Sequence, residues 1–216
     1  MDKLVGKLIA ELERQKLREK TLVIFVGDNG TAAKDAARST IGGRRLSGQK
    51  GSMLEGGGLV PMIVNWPGVT PAGEVSADIL DGSDFFPTFA ELAGAKLPEN
   101  VVIDGHSFTR RLRGENGQPR SWAYCQLARM WYVRDAGWKL NQAGELFDMS
   151  EAPFDEKLIS PDSTDAAVIA ARARLQDALV KLNPAGGILD DGDGTGRHLR
   201  NKKKAAPNVE SADKRQ

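Results

Sequence analysis

The chain has 216 residues, 40% of them apolar and 27% charged, enough for one domain, or one plus a tail, with an ordinary globular core. A formal net charge of +1 gives no global field to attract nucleic acid, and no apolar run reaches the roughly 18 residues of a membrane span. The one cysteine, Cys125, excludes an internal disulfide framework.

In chain order, Leu4, Val5, Leu8, Ile9 and Leu12 recur at helical spacing among Lys, Glu and Arg. They predict a helix from about Asp2 to Leu17 with Asp2 as N-cap, and not a signal peptide at Met1-Asp2-Lys3. The next element, TLVIFVGDN (21–29), holds the continuous apolar run Leu22–Val26. Such a run predicts a strand buried on both faces, as in a parallel sheet. Asp28 and Asn29 follow at its carboxyl end, where open α/β sheets place ligands. Their hard oxygens suit Ca²⁺ or Mg²⁺.

Gly30 to Gly58 reads as a long loop with few large apolar residues, and loops of that length in compact domains are commonly functional. It contains Gly48-Gln49-Lys50-Gly51-Ser52 and then Glu55-Gly56-Gly57. A lone lysine in glycine-rich backbone suits a tetrahedral oxyanion, since glycine lets the main chain approach closely. Glu55 reads as a hydrogen-bond partner of this loop rather than an acid catalyst.

Leu59 to Trp66 predicts a second strand, stopped by Pro67-Gly68, with Pro61 at an edge or first-residue position. Asp84 to Ala93 predicts a helix capped by Asp84 or Ser83, with Phe85, Phe86, Phe89 and Leu92 inward and Gly94 as the stop. Ser107 to Leu112 suits a helical turn. The runs WAYCQLA, MWYVRDAGWKLN and GELFDM, between Trp122 and the residues just past Phe147, suggest a small antiparallel sheet. Thr164 to Leu182 is Ala-rich and periodic through Val168, Ala171, Leu175, Leu179 and Leu182, another helix. After Asn183-Pro184 the composition turns to Gly, Asp, Lys and Arg, a mostly disordered tail.

The fold class is therefore α/β: part of a mixed, mostly parallel sheet flanked by helices, then a small antiparallel sheet with a C-terminal helix. The expected boundaries are 1–118, 119–183 and a tail over 184–216.

Other motifs are weaker. Gly43 to Lys50 nearly spells a P-loop, but Gln49 holds the lysine position and no strand leads directly into it. Asp191 to Gly196 opens like an EF-hand calcium loop, yet Lys202 stands where a bidentate Glu is required. His106, in the turn after Asp104-Gly105, suits a structural role, and His198 lies in the tail with the basic run Arg197–Lys204.

The stretches TLVIFVGDNG (21–30), GQKGSMLEGGGLVPMIVNWPG (48–68), DGSDFFPTFAELAGAKLP (81–98), DGHSF (104–108) with LRG (112–114), and GELFDMSEAPFDEKLI (144–159) occur in one order. That series resembles the C-terminal half of the sulfatase family, the arylsulfatase-like branch of the alkaline phosphatase superfamily, over roughly residues 1 to 160. The resemblance implies Asp28 and Asn29 as ligands of an active-site Ca²⁺ or Mg²⁺, and Lys50 as a contact to the sulfate group. It implies hydrolysis of aryl or carbohydrate sulfate esters, with a periplasmic or extracellular location for a complete member.

Two departures qualify it. The family's Arg two residues before the strand's Pro is here Leu59. The family's formylglycine nucleophile arises from Cys or Ser in a Cys-x-Pro-Ser-Arg motif, and no such sequence occurs. Cys125 lies in Tyr-Cys-Gln-Leu-Ala-Arg, which lacks the Pro. The family's first Asp pair and its middle His and Lys are missing as well. The resemblance thus implies a chain beginning about halfway, inactive alone, and completed by a missing N-terminal half or an oligomer. Its alternatives are a phosphodiesterase or phosphonate hydrolase of the superfamily, or an inactive remnant or partner subunit. A half sheet exposes an apolar edge, so the isolated chain is expected to aggregate, oligomerise or be marginally stable.

Overall fold

A computed structural model describes residues 1–187. The first apolar repeat forms α1 (Asp2–Arg14), shorter than its periodicity predicts because Lys16 takes a left-handed φ of 57° and ends the helix. Met1, not Asp2, is the N-cap; Asp2 is the first helical residue, where its charge suits the positive end of the helix. Leu4 and Leu8 are exposed, while Val5, Ile9 and Leu12 are half-buried.

The next apolar runs form β1 (Val23–Val26) and β2 (Met62–Asn65). The pairing expected as parallel is antiparallel, in the register Val23↔Asn65 to Val26↔Met62. A continuous apolar run reports how much burial a strand demands and not which way its neighbour runs. With one neighbour among the described residues, β1 is half-buried rather than buried on both faces, and Val26 is exposed. Pro61 directly precedes β2, where its missing N–H costs nothing; its carbonyl accepts from the Gly27 N–H at 3.1 Å. The long loop between the strands carries two single helical turns, α2 (Ala33–Ala36) and α3 (Glu55–Gly58).

A 3₁₀ turn over Gly82–Asp84 leads into α4 (Phe85–Leu92). Asp84 is the N-cap of α4, as expected, but its side chain makes no capping bond there; the side-chain cap is Asp81, ahead of the 3₁₀ turn, whose carboxylate accepts from Ser83 N–H at 2.9 Å while the Asp84 carboxylate accepts from Asp81 N–H at 2.8 Å. The buried face of this segment is Asp84, Pro87 and Thr88, and Phe86 and Phe89 are exposed, which corrects their expected core position. Phe85 does pack, edge-on against Phe108 with ring centroids 5.7 Å apart. The turn expected after Ser107 is α5 (Thr109–Leu112).

The aromatic and β-branched runs form an antiparallel sheet in sequential order: β3 (Ala123–Leu127), β4 (Met130–Arg134), β5 (Trp138–Asn141), β6 (Leu146–Asp148) and β7 (Lys157–Leu158). The last helix, α6 (Ala166–Leu182), is capped by Asp165, whose side chain accepts from Ala167 N–H at 2.7 Å and Val168 N–H at 3.3 Å. Val168, Ala171, Leu175, Ala178 and Leu179 of α6 meet Trp131, Val133, Leu140 and Leu146 of the sheet to form the core. Arg174 of α6 also pairs with Asp135 in the β4–β5 turn. The fold class stands: α/β, with an antiparallel sheet backed by a C-terminal helix.

Leu175 is fully buried in this core. Leu175→Ala is expected to cost about 2–5 kcal/mol, read as a fall in urea midpoint at unchanged slope.

Within the segment expected as a tail, Pro184–Gly187 form a 3₁₀ turn. The rest of that segment, with Asp191–Gly196, His198 and Arg197–Lys204, lies outside the described residues.

Candidate functional site

Asp28, Asn29 and Lys50 come from two segments separated in sequence, and main-chain bonds bring those segments together. Gly30 N–H donates to Gly57 O at 3.1 Å, and Lys50 N–H donates to Thr31 O at 2.8 Å. The turn after β1 is thereby laced to both ends of the glycine loop. Within the loop, Gly56 N–H donates to Ser47 O at 2.6 Å, and Gln49 N–H to Ser52 Oγ at 3.0 Å. The contact needs glycine: a Cβ on Gly30 would sit 1.8 Å from Gly56 O.

Asp28 is exposed and Asn29 half-buried. The Asn29 amide nitrogen donates to Gly30 O at 2.9 Å, which leaves Oδ1 available as a ligand oxygen. Asp28 makes no side-chain hydrogen bond or ion pair among the described residues. A carboxylate and an amide oxygen fit a hard cation, which takes six or more oxygens. They supply only part of such a shell. Among the described residues, no group of three or more His, Cys, Asp or Glu side chains is placed to hold a metal. Lys50 is exposed and without an ion pair among the described residues, so its ammonium is open to an anion.

Glu55 is 2% exposed and pairs with Arg134 on β4. Its side-chain partner is therefore on the antiparallel sheet, and not in the glycine loop as expected. Leu59, where the resemblance implies Arg, is exposed, and the cation beside Glu55 arrives instead from Arg134. The Glu55 N–H donates to Glu156 Oε1 at 2.8 Å, and Glu156 pairs with Lys139 of β5. Arg134, Lys139 and Glu156 carried no local sequence signal; they lie about 80 to 100 residues from the loop they touch.

Cys125 and His106 lie in different surroundings. Burial pushes the Cys125 thiol up, away from a reactive thiolate, in spite of a hydrogen bond from Tyr132 that lowers it. His106 is exposed, and its backbone N–H donates to Asp84 Oδ1 at 2.7 Å, so the Asp104-Gly105-His106 turn closes against the start of α4. That turn also needs its glycine, because a Cβ on Gly105 would lie 2.0 Å from Ser83 O.

The scaffold is thus an α/β protein that presents candidate cation and oxyanion groups on a strand-end turn and a glycine-rich loop bonded to it, backed by an antiparallel sheet. The family model for sulfatases matches residues 1–95. Arylsulfatase D of Homo sapiens is 32% identical over 206 residues, covering 76% of this chain and 35% of that protein. Steryl-sulfatase of Mus musculus is 31% identical over 236 residues, covering 85% of this chain and 38% of that protein. Among solved structures, the PsFucS1 sulfatase from Pseudoalteromonas sp. superimposes with a TM-score of 0.57 at 28% identity, over 75% of this chain and 33% of that one. BT4656, in complex with its substrate D-glucosamine-2-N,6-O-disulfate, shares the fold with a TM-score of 0.65 at 21% identity, over 91% of this chain and 40% of that one. The chain belongs to the sulfatase family. It spans less than half the length of each of these relatives.

Proposed function

We propose that this chain supplies the cation- and sulfate-binding part of a sulfuric ester hydrolase of the arylsulfatase type. Residues 1–118 would belong to the catalytic α/β part and 119–183 would form the sheet-and-helix subdomain behind it. Asp28 and Asn29 would be ligands of a Ca²⁺ or Mg²⁺, and Lys50 would bind sulfate oxygens. The observation that carries this reading is the pair of main-chain bonds joining the Asp28-Asn29 turn to the Lys50 loop. Sulfate ester cleavage builds charge on non-bridging oxygens, and a fixed ammonium stabilises it. A bound divalent cation would add Lewis-acid polarisation of the same oxygens. The formylglycine nucleophile of the family has no motif in residues 1–216, so the proposal requires it from a further segment or a partner chain. The disulfated sugar bound by BT4656 supports a carbohydrate sulfate as the first ester to try.

The test uses protein purified from its own host through a tag at Gln216, so that whatever completes the site comes with it. Hydrolysis of aryl and sugar sulfates is measured beside that of phosphate di- and monoesters. Sulfate turnover that falls about a hundredfold or more in Asp28→Ala and in Lys50→Ala is the expected result. Turnover that survives both substitutions overturns the residue assignment. Preference for phosphate esters identifies a phosphodiesterase-like relative, and hydrolysis of neither identifies a non-catalytic subunit.

A further inference from the structure

The antiparallel sheet places two cations side by side. In the β4–β5 register Arg134 is opposite Lys139, and like charges directly opposite repel. Lys139 is 2% exposed, so solvent does not screen it. Val133 and Leu140 face α6, which leaves Tyr132, Arg134 and Lys139 on the other face of the sheet, toward the glycine loop.

Two carboxylates meet those cations. Glu55, at the start of α3, pairs with Arg134, and Glu156 pairs with Lys139. Both members of the second pair also grip loop backbone: Lys139 Nζ donates to Met53 O at 3.1 Å, and Glu156 Oε1 accepts the Glu55 N–H at 2.8 Å. The Lys139 ammonium lies 4.9 Å from the Tyr132 ring centroid as well. The far side of the loop is held by the same 151–156 turn, through Ser47 N–H to Pro153 O at 2.9 Å and Arg44 to Glu151 at 3.1 Å. Lys50 sits in the middle of a span pinned at residues 47, 53 and 55.

Burying four charges is costly, and an apolar contact would join the two parts at least as firmly. What charges and main-chain bonds add is direction, since they accept one register of the loop and no other. We propose that Lys139 and Glu156 are positioning residues for Lys50, clamping the oxyanion loop onto the C-terminal sheet. The sulfate role of this clamp rests on the reading of Lys50 above.

The test is made on the full protein, with Lys139→Met and with Lys139→Met/Glu156→Gln. The double variant removes both charges and leaves an acceptor for the Glu55 N–H, so it keeps the question open to measurement if the single variant fails to fold. Amide hydrogen exchange is read at 48–57 and, as reference, in β4, β5 and α6; inorganic sulfate affinity is read by titration calorimetry, with Lys50→Ala as the baseline. Exchange at 48–57 about tenfold or more faster with an unchanged reference, and sulfate binding about ten- to a hundredfold weaker, are expected. Loop exchange and sulfate affinity equal to the unaltered protein overturn the clamp. Acceleration of the reference amides along with the loop also overturns it, since the cluster would then hold the sheet rather than the loop. If the unaltered protein binds no sulfate, the sulfate role of Lys50 fails, and the exchange data still decide the clamp.

Discussion

Asp84→Ala is expected to lower the unfolding free energy by about 3–5 kcal/mol, because it leaves a buried guanidinium without its hydrogen-bonded carboxylate. The Asp84 and Arg120 side chains are 2% and 6% exposed. Arg120 Nε donates to Oδ2 at 3.0 Å and Nη2 to Oδ1 at 2.5 Å, a two-pronged pair. The same carboxylate accepts the backbone N–H groups of Asp81 at 2.8 Å and His106 at 2.7 Å. One side chain therefore joins the start of α4, the turn at His106 and the chain entering β3. Alanine breaks all three connections; the remaining Arg120 hydrogen bonds, to Asp104 O, Ser83 Oγ and Trp122 O, are to neutral acceptors, and the nearest carboxylate left is that of Asp81 at 4.0 Å.

The loss depends on pH with a definite sign. Burial by itself would raise the Asp84 pKa, but the Arg120 bonds and the two backbone N–H groups outweigh it and hold the carboxyl below its usual value. A depressed folded-state pKa gives stability that is present above the unfolded value of about 3.9 and lost as pH falls through the folded one. Urea unfolding of the unaltered chain and of Asp84→Ala, followed from neutral to acid pH, should show curves that converge below about pH 4. A difference below about 1 kcal/mol at neutral pH would mean that the pair carries far less than its burial implies.

Gly30→Ala is expected to take the candidate site apart while leaving the sheet-and-helix core folded. The added Cβ would lie 1.8 Å from Gly56 O and 3.0 Å from Gly57 Cα, both backbone atoms that no side-chain rotation can move. The turn after β1 and the glycine loop must separate, and the Gly30-to-Gly57 and Lys50-to-Thr31 bonds go with them. Overpacking of this kind costs about 1–3 kcal/mol. The functional effect is larger, because a misplacement of about 1 Å at a reacting group is worth about a hundredfold. Sulfate binding and ester turnover in Gly30→Ala should fall to the level of Lys50→Ala. Gly6→Ala is the matched control: it lies within α1, a Cβ there meets nothing within 4 Å, and stability should rise by up to about 1 kcal/mol. Unchanged turnover in Gly30→Ala would show that the two segments need not touch.

Much of this was legible in the sequence because the signals were local. The period of Val168, Ala171, Leu175 and Leu179 states which side of α6 is buried, and those residues do form the core with the sheet. Alternating aromatic and β-branched residues between Trp122 and Phe147 announced antiparallel strands, since neighbouring hairpin strands need only short turns. The glycine-rich loop was conspicuous because close backbone approach is written as residue type, and Gly30 shows the approach directly.

Direction, partner and exposure were not local. The apolar run Leu22–Val26 could not say that β2 would lie antiparallel to it. Phe86 and Phe89 looked like core, yet burial there depends on what covers α4, and the covered face is Asp84, Pro87 and Thr88. The sequence by itself nominated Asp28, Asn29 and Lys50 as the candidates, because a strand end and a glycine loop are short-range patterns. Only the tertiary structure decided what holds them in place. The carboxylates Glu55 and Glu156 find Arg134 and Lys139 through strand pairing, and a charge pair between residues that far apart leaves no trace in either local sequence.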